Sequence, residues 1–118
     1  MATSHPDHAL ISSNDVEGTA VYDQSRKKIG EIDHLMIDKL TGRVIYAVLS
    51  FGGFMSLRRQ HYPLPWDALS YDVELAGFRT KVREVDLRDA PEFSDDFRSS
   101  REWERRLHDY YARHYWGT

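Results

Sequence analysis

The alternation of apolar and polar residues is clearest in the first half of the chain, where two strand-like segments lie on either side of a short turn. Residues 29–38 (IGEIDHLMID) and 43–51 (RVIYAVLSF) are rich in β-branched and aromatic side chains, and residues 40–42 (LTG) separate them. This arrangement predicts a β-hairpin. Alternate residues of the returning strand share a face, which places Val44, Tyr46, Val48 and Ser50 on one side and Ile45, Ala47, Leu49 and Phe51 on the other. Since both sides are apolar, we expect both to be covered.

Shorter segments with strand-forming residues complete the predicted sheet. They lie at residues 19–22, 62–64, 70–72 and 77–82. A helical turn is predicted at residues 65–69, because proline is tolerated at the first helical position. Residues 85–91 (VDLRDAP) are predicted to leave the sheet. Residues 1–15 are polar and show no period, so we expect a flexible N-terminal arm.

Near the C-terminus the hydrophobic period changes to that of a helix. Residues 99–115 are predicted to form an amphipathic helix, with a capping-box spacing between Ser99 and Glu102. Its apolar face is rich in tyrosine and tryptophan, which are also enriched at protein interfaces. The candidate interface residues are Trp103, Leu107, Tyr110, Tyr111, Tyr115 and Trp116. This stripe can pack on its own chain or on a second subunit, and the sequence favours neither.

The length, charge and composition of the chain limit the number of domains and the chemistry that it can have. A length of 118 residues suits one domain with one core. We expect an arm at residues 1–15, a β-domain at 16–93 and an aromatic-rich helical extension at 94–118. The formal net charge of −3 gives no overall attraction to polyanions, and the absence of cysteine excludes disulfides and thiolate chemistry. Because no signal segment or long apolar run is present, we expect a cytoplasmic protein.

Four segments, in their order along the chain, resemble the PRC-barrel family. VYDQSRKKIGEIDHLMID is followed by TGRVIYAVLSFGGF, by YPLPWDALSYD and, after a short strand, by DAPEF. The resemblance covers residues 16–93 and implies a mainly β fold, namely a small, strongly bent antiparallel β-barrel, to which a C-terminal helix is added here. It also implies docking rather than catalysis. Members of the family include the photosynthetic reaction centre H subunit and a ribosome maturation factor, but we expect a standalone barrel.

Two glycines after the long strand, Gly52 and Gly53, raise the question of a catalytic or phosphate-binding loop. The segment SFGGF has neither the G-x-S-x-G spacing of a nucleophile elbow nor the glycine spacing of a phosphate-binding loop. We therefore expect a structural turn with positive φ angles. Gly42 is expected in the hairpin turn, and Gly30 at a bend or bulge of the first hairpin strand.

Histidine and acidic residues are the candidates for metal binding and acid–base chemistry. The sequence has six histidines, but pairs such as His108 and His114 face different directions on a helix. We therefore expect no bound metal and no cofactor. Asp33 and His34 are expected on opposite faces of a strand, which leaves only a loose pairing of His34 with Asp38. Since no nucleophile is nearby, we expect no enzymatic activity.

Basic residues alternate with acidic ones except around Arg58 and Arg59, with Tyr62 close by in the sequence. An aromatic ring beside two guanidinium groups suits stacking on an unpaired base, so these three residues are the candidate RNA contacts.

Two hypotheses for the function follow from the sequence. The first is a non-catalytic adaptor, a homodimer that docks onto another protein or complex. The alternative is an RNA- or ribosome-associated factor, for which the negative net charge is unfavourable.

Overall fold

One sheet contains the strands that the structure describes. The computed structural model describes residues 10–52, 59–91 and 101–113. Within these ranges the strands are β1 (Ala20–Tyr22), β2 (Lys28–Ile37), β3 (Val44–Gly52), β4 (Arg59–Pro65), β5 (Leu69–Asp72) and β6 (Gly77–Thr80). Their order across the sheet is β4-β3-β2-β1-β6-β5, so β4 and β5 are its edge strands. The predictions of a mainly β fold and of a β2–β3 hairpin are confirmed.

The sheet is mixed, so the expectation of a purely antiparallel barrel was wrong. Four neighbouring pairs are antiparallel, whereas β1 and β6 run parallel, with Val21 beside Phe78. The direction of β6 depends on how the chain crosses from β4 to the other side of the sheet, and periodicity within a strand carries no information about that crossing. Across the described residues the strand order is open between β4 and β5, so closure of a barrel by hydrogen bonds is not shown.

The helical elements of the described ranges are short apart from the last. They are α1 (Ser13–Val16), a 3-10 turn (Trp66–Ala68), α2 (Glu84–Arg88) and α3 (Arg101–Tyr111). The 3-10 turn and α3 lie within the segments predicted to be helical. The Ser12 hydroxyl caps α1 by accepting a hydrogen bond from the backbone N–H of Asn14 at 3.2 Å, so part of the expected flexible arm is helical. Both α1 and α2 were missed because four or five residues are too few to show a helical period.

One cluster of buried apolar side chains joins the sheet to α2 and α3. The members include Val21, Ile29, Ile32, Ala47, Leu49, Tyr62, Leu64 and Phe78 from the strands, and Leu87, Trp103, Leu107, Tyr110 and Tyr111 from the helices. Removing each large apolar side chain from water stabilises the fold by about 1.5–3 kcal/mol before ordering costs. Helix α3 therefore packs into the same core as the sheet.

Two extra residues in the β2–β3 hairpin change which side chains face outwards. In the pairing of β2 with β3, Asp33 has no opposite residue on β3, and Ile45 has no opposite residue on β2. Each is a β-bulge, which interrupts the alternation of side chains and re-aims those beside it. Asp33 therefore approaches His34 instead of pointing away from it, and Ile45 is 42% exposed. The expected opposition of Asp33 and His34 was wrong for this reason. The expected burial of both faces of β3 is confirmed for residues 46–50, and Ile45 is the exception at the bulge.

The β1–β6 pair depends on Gly77, a residue that the sequence did not single out. A Cβ atom at this position would lie 2.7 Å from the carbonyl oxygen of Ala20 and 2.9 Å from the ring of Tyr22. Non-bonded contacts of a Cβ atom are not this short, so a side chain here would force β6 away from β1.

Candidate docking surfaces

The aromatic stripe of α3 packs on its own chain. Tyr111 donates a hydrogen bond from its hydroxyl to the carbonyl oxygen of Pro63 in β4 at 2.6 Å, and Tyr110 donates one to the carbonyl oxygen of Asp86 in α2. The two tyrosine rings meet edge to face, with their centroids 5.3 Å apart. Trp103 and Leu107 are also buried. These four candidate interface residues therefore contribute to the core of a single chain, while Tyr115 and Trp116 lie outside the described residues.

Burial controls the ionisation of the tyrosines around α3. It raises the pKa of Tyr46 to about 12, and the nearby carboxylates of Glu104 and Asp67 act in the same direction. Burial also raises the pKa of Tyr111 and Tyr110 above the usual range. The three phenols are therefore protonated at neutral pH, which keeps the hydroxyls of α3 available as hydrogen-bond donors.

The candidate RNA contacts do not form an exposed stacking surface. Tyr62 is buried in the core, where it lies opposite Leu49 in the β3–β4 pair. Its ring is covered and is not available to an unpaired base, which corrects the sequence-based interpretation. Arg59 pairs with Gly52 at the start of β4. Arg58 lies outside the described residues.

The glycines expected in turns have different environments. Gly42 adopts a positive φ of 77° in the β2–β3 turn, a conformation that favours glycine. Gly30 is buried beside an irregularity in the β1–β2 pairing, where it lies opposite Val21. Gly52 is the last residue of β3, and Gly53 lies outside the described residues.

Asp33, His34 and His61 form a polar cluster on β2 and β4. Asp33 Oδ2 lies 2.7 Å from His34 Nδ1, and Asp33 Oδ1 lies 3.6 Å from His61 Nε2. The hydrogen bond with His34 is the largest effect on the pKa of Asp33 and lowers it, and the charge of His61 lowers it further. Burial acts in the opposite direction, but the net pKa is lowered. Asp38 Oδ1 accepts a hydrogen bond from the backbone N–H of Leu40 at 2.8 Å, and the loose pairing of His34 with Asp38 stays a prediction.

A hydroxyl group lies on the strand between the two histidines. Ser50 in β3 pairs with His61 of β4, is buried, and has no hydrogen-bond partner for its hydroxyl among the described residues. A nucleophile needs both a base within hydrogen-bond reach and access to a substrate. The buried hydroxyl has no such access. The contact between Asp33 of β2 and His61 of β4 instead suits the cluster to linking these two strands across β3.

An aromatic group at the β5 edge of the sheet is partly open to solvent, and the sequence did not single it out. Trp66 and Tyr71 both contact Phe78, with ring centroids 5.5 Å and 5.2 Å from it. Phe78 is buried, whereas Tyr71 is 38% exposed. Trp66, Tyr71 and Phe78, here called the β5 aromatic group, bring together residues from three separate elements. That contact depends on the sheet order, so no spacing in the sequence indicated it.

Two further properties concern only the part of the chain that the structure describes. No helix in residues 10–52, 59–91 and 101–113 is long and apolar enough to cross a membrane. Within the same ranges, no three histidine or acidic side chains are grouped in a way that suits a metal ion.

Comparison with known proteins identifies a family for most of the chain. A family model described as the PRC-barrel domain matches residues 9–87. No curated protein matches the chain. Among solved structures, it is similar to a Pseudomonas aeruginosa protein described as a 16S ribosomal RNA processing protein, RimM, with 22% sequence identity and a TM-score of 0.37. The match covers 66% of this chain and 47% of the other, so the chain spans about half the length of that protein.

Proposed function

Because this chain belongs to the PRC-barrel domain family, we propose that it is a non-catalytic adaptor that docks onto another protein through the edge strand β5. The observation that carries this proposal is the β5 aromatic group, in which an exposed tyrosine is held against a buried phenylalanine. Tyrosine and tryptophan dominate many protein interfaces, because each combines a large apolar area with a polar group. A ring already fixed by its neighbour also loses little freedom on binding.

The two edges of the sheet differ in their capacity to accept a partner. In β4, Pro63 and Pro65 have no backbone N–H, and the carbonyl oxygen of Pro63 already accepts a hydrogen bond from Tyr111. β5 contains no proline and, among the strands that the structure describes, has a neighbour on one side only, β6. An extended segment of a partner can add to such an edge while its side chains contact Tyr71. The expected partner is therefore a protein with an exposed strand or extended segment.

Cross-linking from β5 tests this proposal. A photoreactive amino acid replaces Ser70, which is exposed beside Tyr71, and a control protein carries it at the exposed Glu102 of α3. After irradiation in host cells, we expect position 70 to yield a discrete cross-linked protein that position 102 does not yield. Adding Tyr71→Ser should remove this product. The same products from both positions, or a product that survives Tyr71→Ser, would argue against docking at β5.

Formation of a homodimer remains a prediction. Its sequence-based reason was a stripe on α3 that could pack on a second subunit, but Trp103, Leu107, Tyr110 and Tyr111 are buried within one chain. Sedimentation of the full chain at tens of micromolar measures its mass directly. A monomer would show that the adaptor acts as a single copy and would leave the proposed β5 contact unaffected.

The alternative of an RNA- or ribosome-associated factor has less support from the described residues. Burial of Tyr62 removes the aromatic part of the predicted contact, and the net charge of −3 opposes binding to phosphate backbones. Fluorescence anisotropy with a labelled single-stranded RNA at physiological salt tests this alternative. Submicromolar, sequence-selective binding that Arg58→Ala abolishes would favour it over the adaptor.

A further inference from the structure

The β2–β3 turn presents the most exposed large apolar side chain of the described residues. This side chain is Leu40, which is 96% exposed. Ile37 at the end of β2 is 56% exposed, and Ile45 in the bulge of β3 also reaches solvent. Single apolar side chains on a surface are common, but these three lie within residues 37–45 at one end of a single hairpin. Ile37, Leu40 and Ile45 are called the hairpin tip below.

Hydrogen bonds hold the hairpin tip in place without a partner. Asp38 Oδ1 accepts hydrogen bonds from the backbone N–H groups of Leu40 at 2.8 Å and of Thr41 at 3.4 Å. The backbone N–H of Gly42 donates to the carbonyl oxygen of Asp38 at 2.8 Å. Leu40 therefore lies at the end of an ordered turn, so its insertion into an apolar environment requires little further ordering of the backbone.

Two cations flank the apex of the hairpin tip, although the chain as a whole is negative. Lys39 and Arg43 are exposed on either side of Leu40. Asp38 is the acidic residue of this segment, and its carboxylate faces the amides of the turn. Residues 37–45 thus combine an apolar apex with a formal charge of +1, against −3 for the whole chain. This difference orients the tip towards a negatively charged surface.

A lipid surface suits the hairpin tip better than a second copy of the chain. Contact between two tips would bring Lys39 and Arg43 of each copy close to the same cations of the other. The three side chains also expose roughly a few hundred Å², less than the about 800 Å² per partner of a specific protein interface. In a bilayer only the apex must enter the acyl region, while the cations remain among the phosphates. We propose that the hairpin tip inserts into an anionic phospholipid surface.

Sedimentation with vesicles tests this inference on the full chain. The vesicles contain phosphatidylcholine alone or equal parts of phosphatidylcholine and phosphatidylglycerol. We expect binding to the mixed vesicles that weakens with added salt and falls about tenfold in Leu40→Ser, because one large apolar side chain no longer leaves water. Val73→Ser is the matched control, since Val73 is 60% exposed in the β5–β6 turn. The control should bind like the unsubstituted chain. No binding to mixed vesicles, or equal losses in both variants, would overturn the proposal.

A fluorescent label reports whether the tip itself enters the lipid. The chain has no cysteine, so Thr41→Cys places a single environment-sensitive dye beside an intact Leu40, and Val73→Cys places it on the control turn. Mixed vesicles should shift the emission of the dye at position 41 to shorter wavelength and leave the dye at 73 unchanged. Equal shifts at both positions would contradict insertion through the tip. Failure of both vesicle experiments would leave the proposed β5 contact intact, because cross-linking at position 70 tests it separately.

Discussion

Tyr111 at the end of α3 and Pro63 in β4 are joined by a buried hydrogen bond of 2.6 Å from the tyrosine hydroxyl to the proline carbonyl oxygen. The bond connects residues that are 48 positions apart in the chain. Edge strands of natural sheets are commonly protected by proline or by a covering helix, and β4 has both. The C-terminal helix therefore protects one edge of the sheet.

Removing this bond should destabilise the protein. In Tyr111→Phe the buried carbonyl of Pro63 loses its partner, and we expect a loss of about 1–2 kcal/mol in the free energy of unfolding. Urea denaturation followed by circular dichroism measures the change. Tyr71→Phe removes a hydroxyl from an exposed tyrosine and should leave the midpoint unchanged. Equal midpoints for Tyr111→Phe and the unsubstituted chain would show that the bond does not contribute.

Alkaline pH should also destabilise the fold. The pKa of Tyr46 is raised to about 12 by burial, whereas a tyrosine in the unfolded chain ionises near pH 10. The stabilisation is therefore complete below about pH 10 and is lost as the pH rises towards the folded value. The phenolate absorbance should increase later in the native protein than in urea, and Tyr46→Phe should reduce this delay. Superimposed native and unfolded titration curves would contradict the prediction.

Asp33 should titrate below its ordinary range in the folded protein. The hydrogen bond with His34 is the main cause of its lowered pKa. The resulting stabilisation is present above about pH 4, the ordinary pKa of aspartate, and is lost as the pH falls through the folded value. Carbon NMR of the carboxyl group measures this pKa. His34→Ala should raise it more than His61→Ala does, and an ordinary value in the unsubstituted chain would show that the cluster does not form.

Gly77 and Gly42 should respond differently to alanine. At Gly77 a Cβ atom would lie 2.7 Å from the carbonyl oxygen of Ala20, so we expect Gly77→Ala to cost about 2–3 kcal/mol through overpacking. At Gly42 nothing lies within 4 Å of the new Cβ, and only the positive φ of 77° is unfavourable. Gly42→Ala should therefore cost about 1 kcal/mol. Urea midpoints in the reverse order would contradict the close approach of β6 to β1.

The sequence by itself determined those elements whose periodicity extends over many residues. The ten residues of β2 and the nine of β3 show strand composition on both sides of a turn, and the eleven residues of α3 show an apolar stripe. The family was also recognisable from the order of its segments. Such features depend on neighbouring residues, because the interactions that favour a strand, a turn or a helix are local.

Only the tertiary structure decided how these elements meet. The bulge at Asp33 places its carboxylate against His34, Tyr62 lies in the core rather than beside RNA, and the stripe of α3 packs on its own chain. The β5 aromatic group likewise forms only when β5 and β6 pair. These contacts join residues far apart in the sequence, and their geometry depends on strand order, register and bulges. The period of a single element contains no information about any of the three.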